Sequence, residues 1–344
     1  MSTRDLTDPT SGPHAIQLIV SAVLDAAVAR WPSEPLVVHR GERIVTVADN
    51  YDLLGYSPSA AARDARHTRY VGDGRMLRSQ TSALIPGALR TLGPAPNALI
   101  ACPGIVYRRD VIDRLHTGTP HQLDLWRVAR QPADLTDLVA TAVTAALPGT
   151  PWRVVPASHP YTTDGLEILA WSGECWVEIG ECGVAAGHVL PSPEVHGLAL
   201  GLGLDRLLML RKGIDDIRLL RSTDPRVAGQ MLDLSPYRPV STQPAARRDL
   251  SVALPADTTA EEVGDRVRAL LGPDASLVEE VTILSRTSPG DLPAASRDRL
   301  RPRAGEANIL LRVVLRDLHG SLPKQKANAL RDRLYAGMTG SSGA

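Results

Sequence analysis

The sequence predicts an α+β protein: a sheet of mainly antiparallel strands flanked by helices, followed by a smaller α+β domain. Three observations carry this expectation. Short apolar runs succeed one another between Gly and Asp turns, without the strand–helix alternation of a parallel sheet. The run Asp205-Arg206-Leu207-Leu208-Met209-Leu210 that follows them has the composition of a buried helix. The C-terminal block then reads strand, helix, strand, strand, helix.

Taken in order, residues 15–30 place Ile16, Ile19, Val20, Val23, Leu24 and Ala27 at helical spacing, which predicts a surface helix docking one face on a core. Asp25 inside the run argues against a membrane span. Val154-Val155, Leu166 to Leu169, Cys175 to Ile179 and Leu198 to Leu202 read as strands, so residues 1–220 form one domain. Residues 221–246 hold Pro225, Pro236, Pro239 and Pro244 with little periodicity, the mark of a semi-rigid linker. In residues 247–338, Leu250, Val252 and Leu254 alternate, Glu261 to Leu271 is helical, Leu277 to Leu284 and Ile309 to Leu315 are strand-like, and Lys324 to Tyr335 is helical. That order fits a split βαβ sheet of ferredoxin type. Residues 339–344 read as a flexible tail.

Composition narrows the function classes. The chain has 344 residues, 43% of them hydrophobic, which excludes a disordered protein and suggests two or three domains. Formal net charge is zero, so a polyanion would have to be met by local patches. Cys102, Cys175 and Cys182 are too few and too oddly spaced for a disulfide framework or a zinc site, and they point to a reducing, cytoplasmic setting without a membrane segment. Phe is absent, although five Trp and seven Tyr show that large aromatics are tolerated.

Three stretches combine Arg, acidic residues and Gly: Gly104 to Asp110, followed by His116 and Pro120-His121-Gln122-Leu123-Asp124; Trp176 to Gly183; and Gly197 to Arg206. The last fails a dinucleotide fingerprint, because Arg206 stands where the final Gly would fall and no βαβ unit surrounds it. Gly at alternate strand positions admits a flat ligand, and Arg206 at the strand–helix junction can stack on a base or pair with phosphate.

The run from Gly197 through Gly213-Ile214-Asp215-Asp216-Ile217-Arg218 resembles the third signature of phenylalanyl-tRNA synthetase alpha subunits. The Arg108 segment resembles the second class II signature, and Asp49 to Leu54 and Leu77 to Ser82 resemble the same catalytic core. The C-terminal block, opening at Arg248-Asp249-Leu250, is similar to a ferredoxin-fold anticodon-binding domain, as in single-chain organellar forms. The resemblance implies ATP-dependent formation of an aminoacyl-adenylate and transfer of the aminoacyl group to tRNA. It implies catalytic roles for Arg108 and Arg206, with Arg108 on the α-phosphate and the amino-acid carboxylate and Arg206 against adenine or the outer phosphates. It gives Asp110, His116 and Glu178 to ATP and its Mg²⁺, Glu178 being the metal ligand. Ser82, Gln122 and Asp124 would meet the substrate ammonium, with His159, Tyr161 and Ala199 around its ring.

The departures fall at the ring. The family's Phe-Pro-Phe element is His159-Pro160-Tyr161 here, Gln80 replaces a usual His, Thr163 a Glu, and Pro120 the Phe that stacks on adenine. Two readings stay open: drift that still accepts phenylalanine, and a pocket that prefers a polar aromatic amino acid. Two other functions compete, a paralogue charging a non-tRNA acceptor and a non-catalytic tRNA-binding regulator. Arg297, Arg299, Arg301 and Arg303 in one loop, with Lys324, Lys326, Arg331 and Arg333 in the last helix, are the expected tRNA contacts. The arrangement implies a monomer without an obligatory beta subunit.

Overall fold

The computed structural model describes residues 3–93, 96–240 and 244–340. The chain divides into two compact units, the first comprising Met1–Arg108, Thr119–Ile214 and Ala228–Tyr237, the second Arg109–Gly118, Asp215–Val227 and Arg238–Ala344.

In the first unit the elements are α1 (Ala15–Arg30), β1 (Leu36–Val38), β2 (Ile44–Thr46), α2 (Val47–Asn50), β3 (Tyr70–Gly72), β4 (Arg75–Leu77), α3 (Ile85–Leu92), β5 (Ala98–Ile105), β6 (His121–Ala129), α4 (Leu135–Ala146), β7 (Trp152–Pro156), β8 (Thr162–Trp171), β9 (Trp176–Ala185), β10 (His196–Gly203) and α5 (Leu204–Lys212). A seven-stranded sheet runs in the order β1-β5-β6-β10-β9-β8-β7. β1 pairs parallel with β5, and every other neighbouring pair is antiparallel. A mixed α+β fold with a large antiparallel-rich sheet flanked by helices is therefore what the chain adopts.

The central strands explain why helices must cover both faces. β5 is buried along its whole length and β6 at every position but Gln122. On one face, α1 packs on α4, α5 and β5, burying the predicted stripe of Ile16, Ile19, Val20, Val23, Leu24 and Ala27. Its first turn is capped by His14, whose Nδ1 accepts from Ile16 N at 3.2 Å, and Asp134 caps α4 through Thr136 N at 2.8 Å. The opposite parity of the strands, Ile100, Cys102, Trp126, Val128, Ala185 and Ala199, joins Leu84, Ile85, Ala88 and Leu89 in a second core cluster.

α5 ends on Gly213, in the left-handed region at φ 67°. The side chain of Lys212 just before it is 1% exposed. Its Nζ donates to Asp233 O at 2.9 Å, Asp233 Oδ1 at 3.2 Å and Ser235 O at 2.5 Å. The connector predicted for 221–246 is thus partly built into the fold, with a one-turn helix α6 (Pro225–Ala228) and a buried-cation anchor.

The second unit contains β11 (Ala246–Pro255), α7 (Ala260–Leu271), β12 (Val278–Thr287), α8 (Ala294–Leu300), β13 (Glu306–Leu315) and α9 (Lys324–Gly340). β13 lies between β11 and β12 and is antiparallel to both, so β11 and β12 run the same way with a strand between them. With α7 in the crossover, this is a split βαβ arrangement. Thr259 and Glu262 form a reciprocal capping box at the start of α7. Leu250, Val252, Leu254, Ile309, Leu311 and Val313 build the core, and Ile112, from the segment between β5 and β6, joins them.

The boundaries differ from the expected cuts at 220 and 247: residues 109–118 and 215–227 pack with the C-terminal unit, and 228–237 with the N-terminal one. The loop expected to hold Arg297 and Arg299 is the helix α8. α9 runs to Gly340, past the expected end at Tyr335, and residues 341–344 of the predicted tail lie outside the described residues.

Candidate active site

The site face of the sheet is set by a buried cation. Arg78, 1% exposed, donates Nε to Ile105 O at 2.8 Å and Nη1 to Arg40 O at 3.0 Å. A Cβ at position 104 would fall 2.0 Å from Arg78 Nη2, so glycine is needed there. This tie fixes residues 79–82 beside the end of β5. Asn50 holds the same segment, its Oδ1 accepting from Ser79 N at 3.1 Å and its carbonyl from Gln80 Nε2 at 2.9 Å.

Thr81 Oγ1 then donates to Asp124 Oδ2 at 2.6 Å, Ser82 Oγ to Asp124 Oδ1 at 2.8 Å, and Trp126 Nε1 to Asp124 Oδ1 at 3.1 Å. Gln122 Oε1 accepts from Thr81 N at 3.2 Å. Ser82, Gln122 and Asp124 thus come together around the Thr81 segment. Asp124 is 3% exposed, and both its oxygens face protein donors. Burial raises its pKa to about 6, outweighing the three donors that favour the charged form.

Strand register carries the face sideways: Asp124 pairs with Gly201, which pairs with Glu181, and Trp126 pairs with Ala199, which pairs with Gly183. Tyr161, 3% exposed, stacks on Trp126 with centroids 6.0 Å apart and lies 6.4 Å from the Tyr56 ring and 5.9 Å from His159. Its hydroxyl donates to Glu181 Oε1. Glu181 Oε2 lies 2.9 Å from His159 Nε2. Burial alone would raise the Glu181 pKa, but His159, Tyr161 and the charge of Arg108 together hold it below the ordinary value. The same pairing raises His159, while burial, then Glu181, pushes the Tyr161 phenol well up. The cluster at neutral pH is therefore an ionised carboxylate gripped by a neutral phenol and an imidazole.

Arg108 donates Nε to Ser79 O at 2.8 Å, which orients its guanidinium from the same segment that holds Asp124. Arg206 Nη1 donates to Glu178 O and to Glu178 Oε2, each at 3.1 Å. Glu178 is a single exposed carboxylate, and among the described residues no group of three or more His, Cys, Asp or Glu gathers as a metal cluster. Asp110 and His116 belong to the second unit. There Arg268 donates to Asp110 O and Val111 O at 2.9 Å each, and His116 Nδ1 lies 2.7 Å from Asp113 Oδ2. Of the C-terminal cations, Lys326 and Arg333 both pair with Asp274, at 2.9 and 3.0 Å, and Arg331 with Asp332 at 2.6 Å.

Glu181 and Trp126 were not singled out by the sequence reading. The available signal was phase: Glu181 shares strand parity with Gly183 and Ala185 on the covered face, where an acid needs a partner.

This fold and face define a class II aminoacyl-tRNA synthetase core. The profile of the family described as "tRNA synthetases class II core domain (F)" matches residues 34–231, and the chain belongs to that family. Its relatives are phenylalanine–tRNA ligase alpha subunits. The one from Nostoc sp. (strain PCC 7120) is 32% identical over 231 residues, covering 64% of this chain and 68% of the relative. That of Nostoc punctiforme is 32% identical over 220 residues, covering 61% and 66%, and that of Bifidobacterium adolescentis 32% over 250, covering 65% and 68%. The chain thus matches about two thirds of the length of these relatives. Among solved structures, pyrrolysyl-tRNA synthetase from Desulfitobacterium hafniense is similar at a TM-score of 0.47, with 16% identity over 61% of this chain and 74% of that one.

These names correct one expectation. Each relative is an alpha subunit, one component of a larger enzyme, so the reading of a monomer without a beta partner is overturned. Among the described residues no helix is long and apolar enough to cross a membrane.

Proposed function

We propose that the chain is an aminoacyl-tRNA ligase of the phenylalanine–tRNA ligase type, activating an aromatic amino acid with ATP and passing it to tRNA. The observation that carries this reading is Arg108, oriented by Ser79 O from the segment that also supplies Thr81 and Ser82 to Asp124. A planar guanidinium there can hold two oxygens of an acyl-phosphate in parallel. Arg206 serves the nucleotide from the β10–α5 junction. ATP supplies the adenylyl group when bound. Glu178 offers an oxygen ligand of the kind Mg²⁺ takes, alongside the nucleotide's own phosphates.

The side-chain end of the site is polar, since Tyr161 and His159 converge on Glu181, and this favours a polar aromatic substrate over drift. The C-terminal unit, with its split βαβ sheet, is the proposed anticodon-binding part. In it, Lys324 and Arg299 are the first positions to test for tRNA contact. The relatives' names carry a partner subunit to this chain as well.

The experiment is amino-acid-dependent ATP–pyrophosphate exchange with the wild type and Arg108→Ala. Exchange is expected from the wild type and is expected to fall by ~10³-fold or more in the variant, with its melting temperature unchanged. Equal exchange by both proteins would remove Arg108 from the chemistry.

A further inference from the structure

The two carboxylates on the site face differ in what they offer a ligand. Asp124 is 3% exposed, and Thr81, Ser82 and Trp126 occupy both its oxygens. Glu181 stands two strands away in the same row, across Gly201, and its side chain is 38% exposed. Among the described residues, Tyr161 bonds its Oε1 and His159 its Oε2. A carboxylate has about four lone-pair sites, so further donors can be accepted from the open side. A Cβ built on Gly201 would have only Glu181 within 4 Å, its Cγ at 3.7 Å and its O at 3.9 Å.

From this geometry we infer that Glu181 is the specificity-determining residue of the site, and that the substrate is an aromatic amino acid whose ring carries an O–H or N–H donor. The inference rests on the proposed adenylating function and names its substrate class. A plain phenyl ring laid over Gly201 would strip water from an ionised carboxylate and leave its remaining lone pairs unfilled. A phenol, aniline or indole N–H in the same place fills one of them. Tyr161 and His159 are positioning residues here, because they fix the carboxylate rather than meet the donor. The Tyr161 ring is itself locked by Trp126, so Glu181 is held on a rigid mount.

The test uses the full chain, with its partner subunit where one co-purifies. Phenylalanine, tyrosine, meta-tyrosine, 4-aminophenylalanine and tryptophan are compared in pyrophosphate exchange, and separately as stabilisers in thermal-shift titrations without ATP. Wild type is expected to favour a donor-bearing ring over phenylalanine by ~100-fold or more in kcat/KM. Glu181→Gln is expected to raise KM for that substrate ~10-fold or more while kcat changes little. Tyr161→Phe keeps the charge and frees the carboxylate, giving a smaller KM rise if Glu181→Gln folds poorly. Phenylalanine as the best wild-type substrate would overturn the inference and leave the proposed function standing. Exchange with none of the five would sink the proposed function instead. In that case a thermal shift from donor-bearing rings, seen with wild type and lost in Glu181→Gln, supports the inference, and shifts that are absent or equal overturn it.

Discussion

Replacing Asp124 by Asn tests the central polar cluster by a route independent of catalysis. Asp124 titrates at about 6 instead of 3.8 because burial penalises its charge more than Thr81, Ser82 and Trp126 relieve it. A folded-state pKa above the unfolded one means that the native chain holds the proton more tightly. Stability contributed by this group is then full below pH 3.8, falls as pH rises through the interval to about 6, and is flat above it. At about 1.4 kcal/mol per pH unit, the interval makes the ionised side chain cost the first unit roughly 3 kcal/mol at neutral pH. Asn is neutral and almost isosteric. Its amide oxygen can keep the bonds from Ser82 and Trp126, and its amide nitrogen can donate to Thr81 Oγ1, since a hydroxyl also accepts. The assay is thermal unfolding of wild type and Asp124→Asn followed by tryptophan fluorescence at closely spaced pH values from 3.5 to 8. The difference in melting temperature, variant minus wild type, is expected to grow by roughly 6–12 °C between pH 4 and 7 and then stay level. Parallel curves across that range would show that Asp124 does not ionise at unusual pH, and the burial argument would fail.

Gly104→Ala should destabilise the first unit by about 1–3 kcal/mol, because the added methyl meets Arg78 Nη2 at 2.0 Å and that guanidinium is pinned by backbone carbonyls, as chemical denaturation would report. Arg127→Met removes the partner of Glu34 at 2.5 Å, in a pair whose side chains are only 6% and 5% exposed. It should cost about 3–5 kcal/mol, most of it recovered in Arg127→Met/Glu34→Leu; failure of the double variant to recover would show that packing, not the stranded charge, sets the loss.

Much of the fold was legible because many of its strands and helices obey simple periods. β8, β9 and β10, the α1 stripe and the C-terminal strand–helix order all announce themselves by alternation or helical spacing. β5 and β6 do not, since strands buried on both faces lose alternation and resemble any apolar run. The prolines of the connector read as a spacer, whereas Lys212 of α5 reaches Asp233 and Ser235 within it, a tie that no local pattern announces. At the site, Arg108, Ser82, Gln122 and Asp124 stand out through the family resemblance of their segments. Glu181 escaped because its partners Tyr161 and His159 sit in the turn between β7 and β8, and a lone acid in a strand reads as solvated until tertiary pairing is known.

The interleaving of the two units has a consequence for how such a protein can be dissected. The chain passes between them at 108/109, 118/119, 214/215, 227/228 and 237/238. No single scissile point separates them, and a clone beginning at residue 238 would lack Ile112, a buried member of its own hydrophobic nucleus. The C-terminal portion is thus not an exchangeable cassette. Recombination that swapped it whole between genes would have to carry two distant short exons' worth of coding sequence along with it.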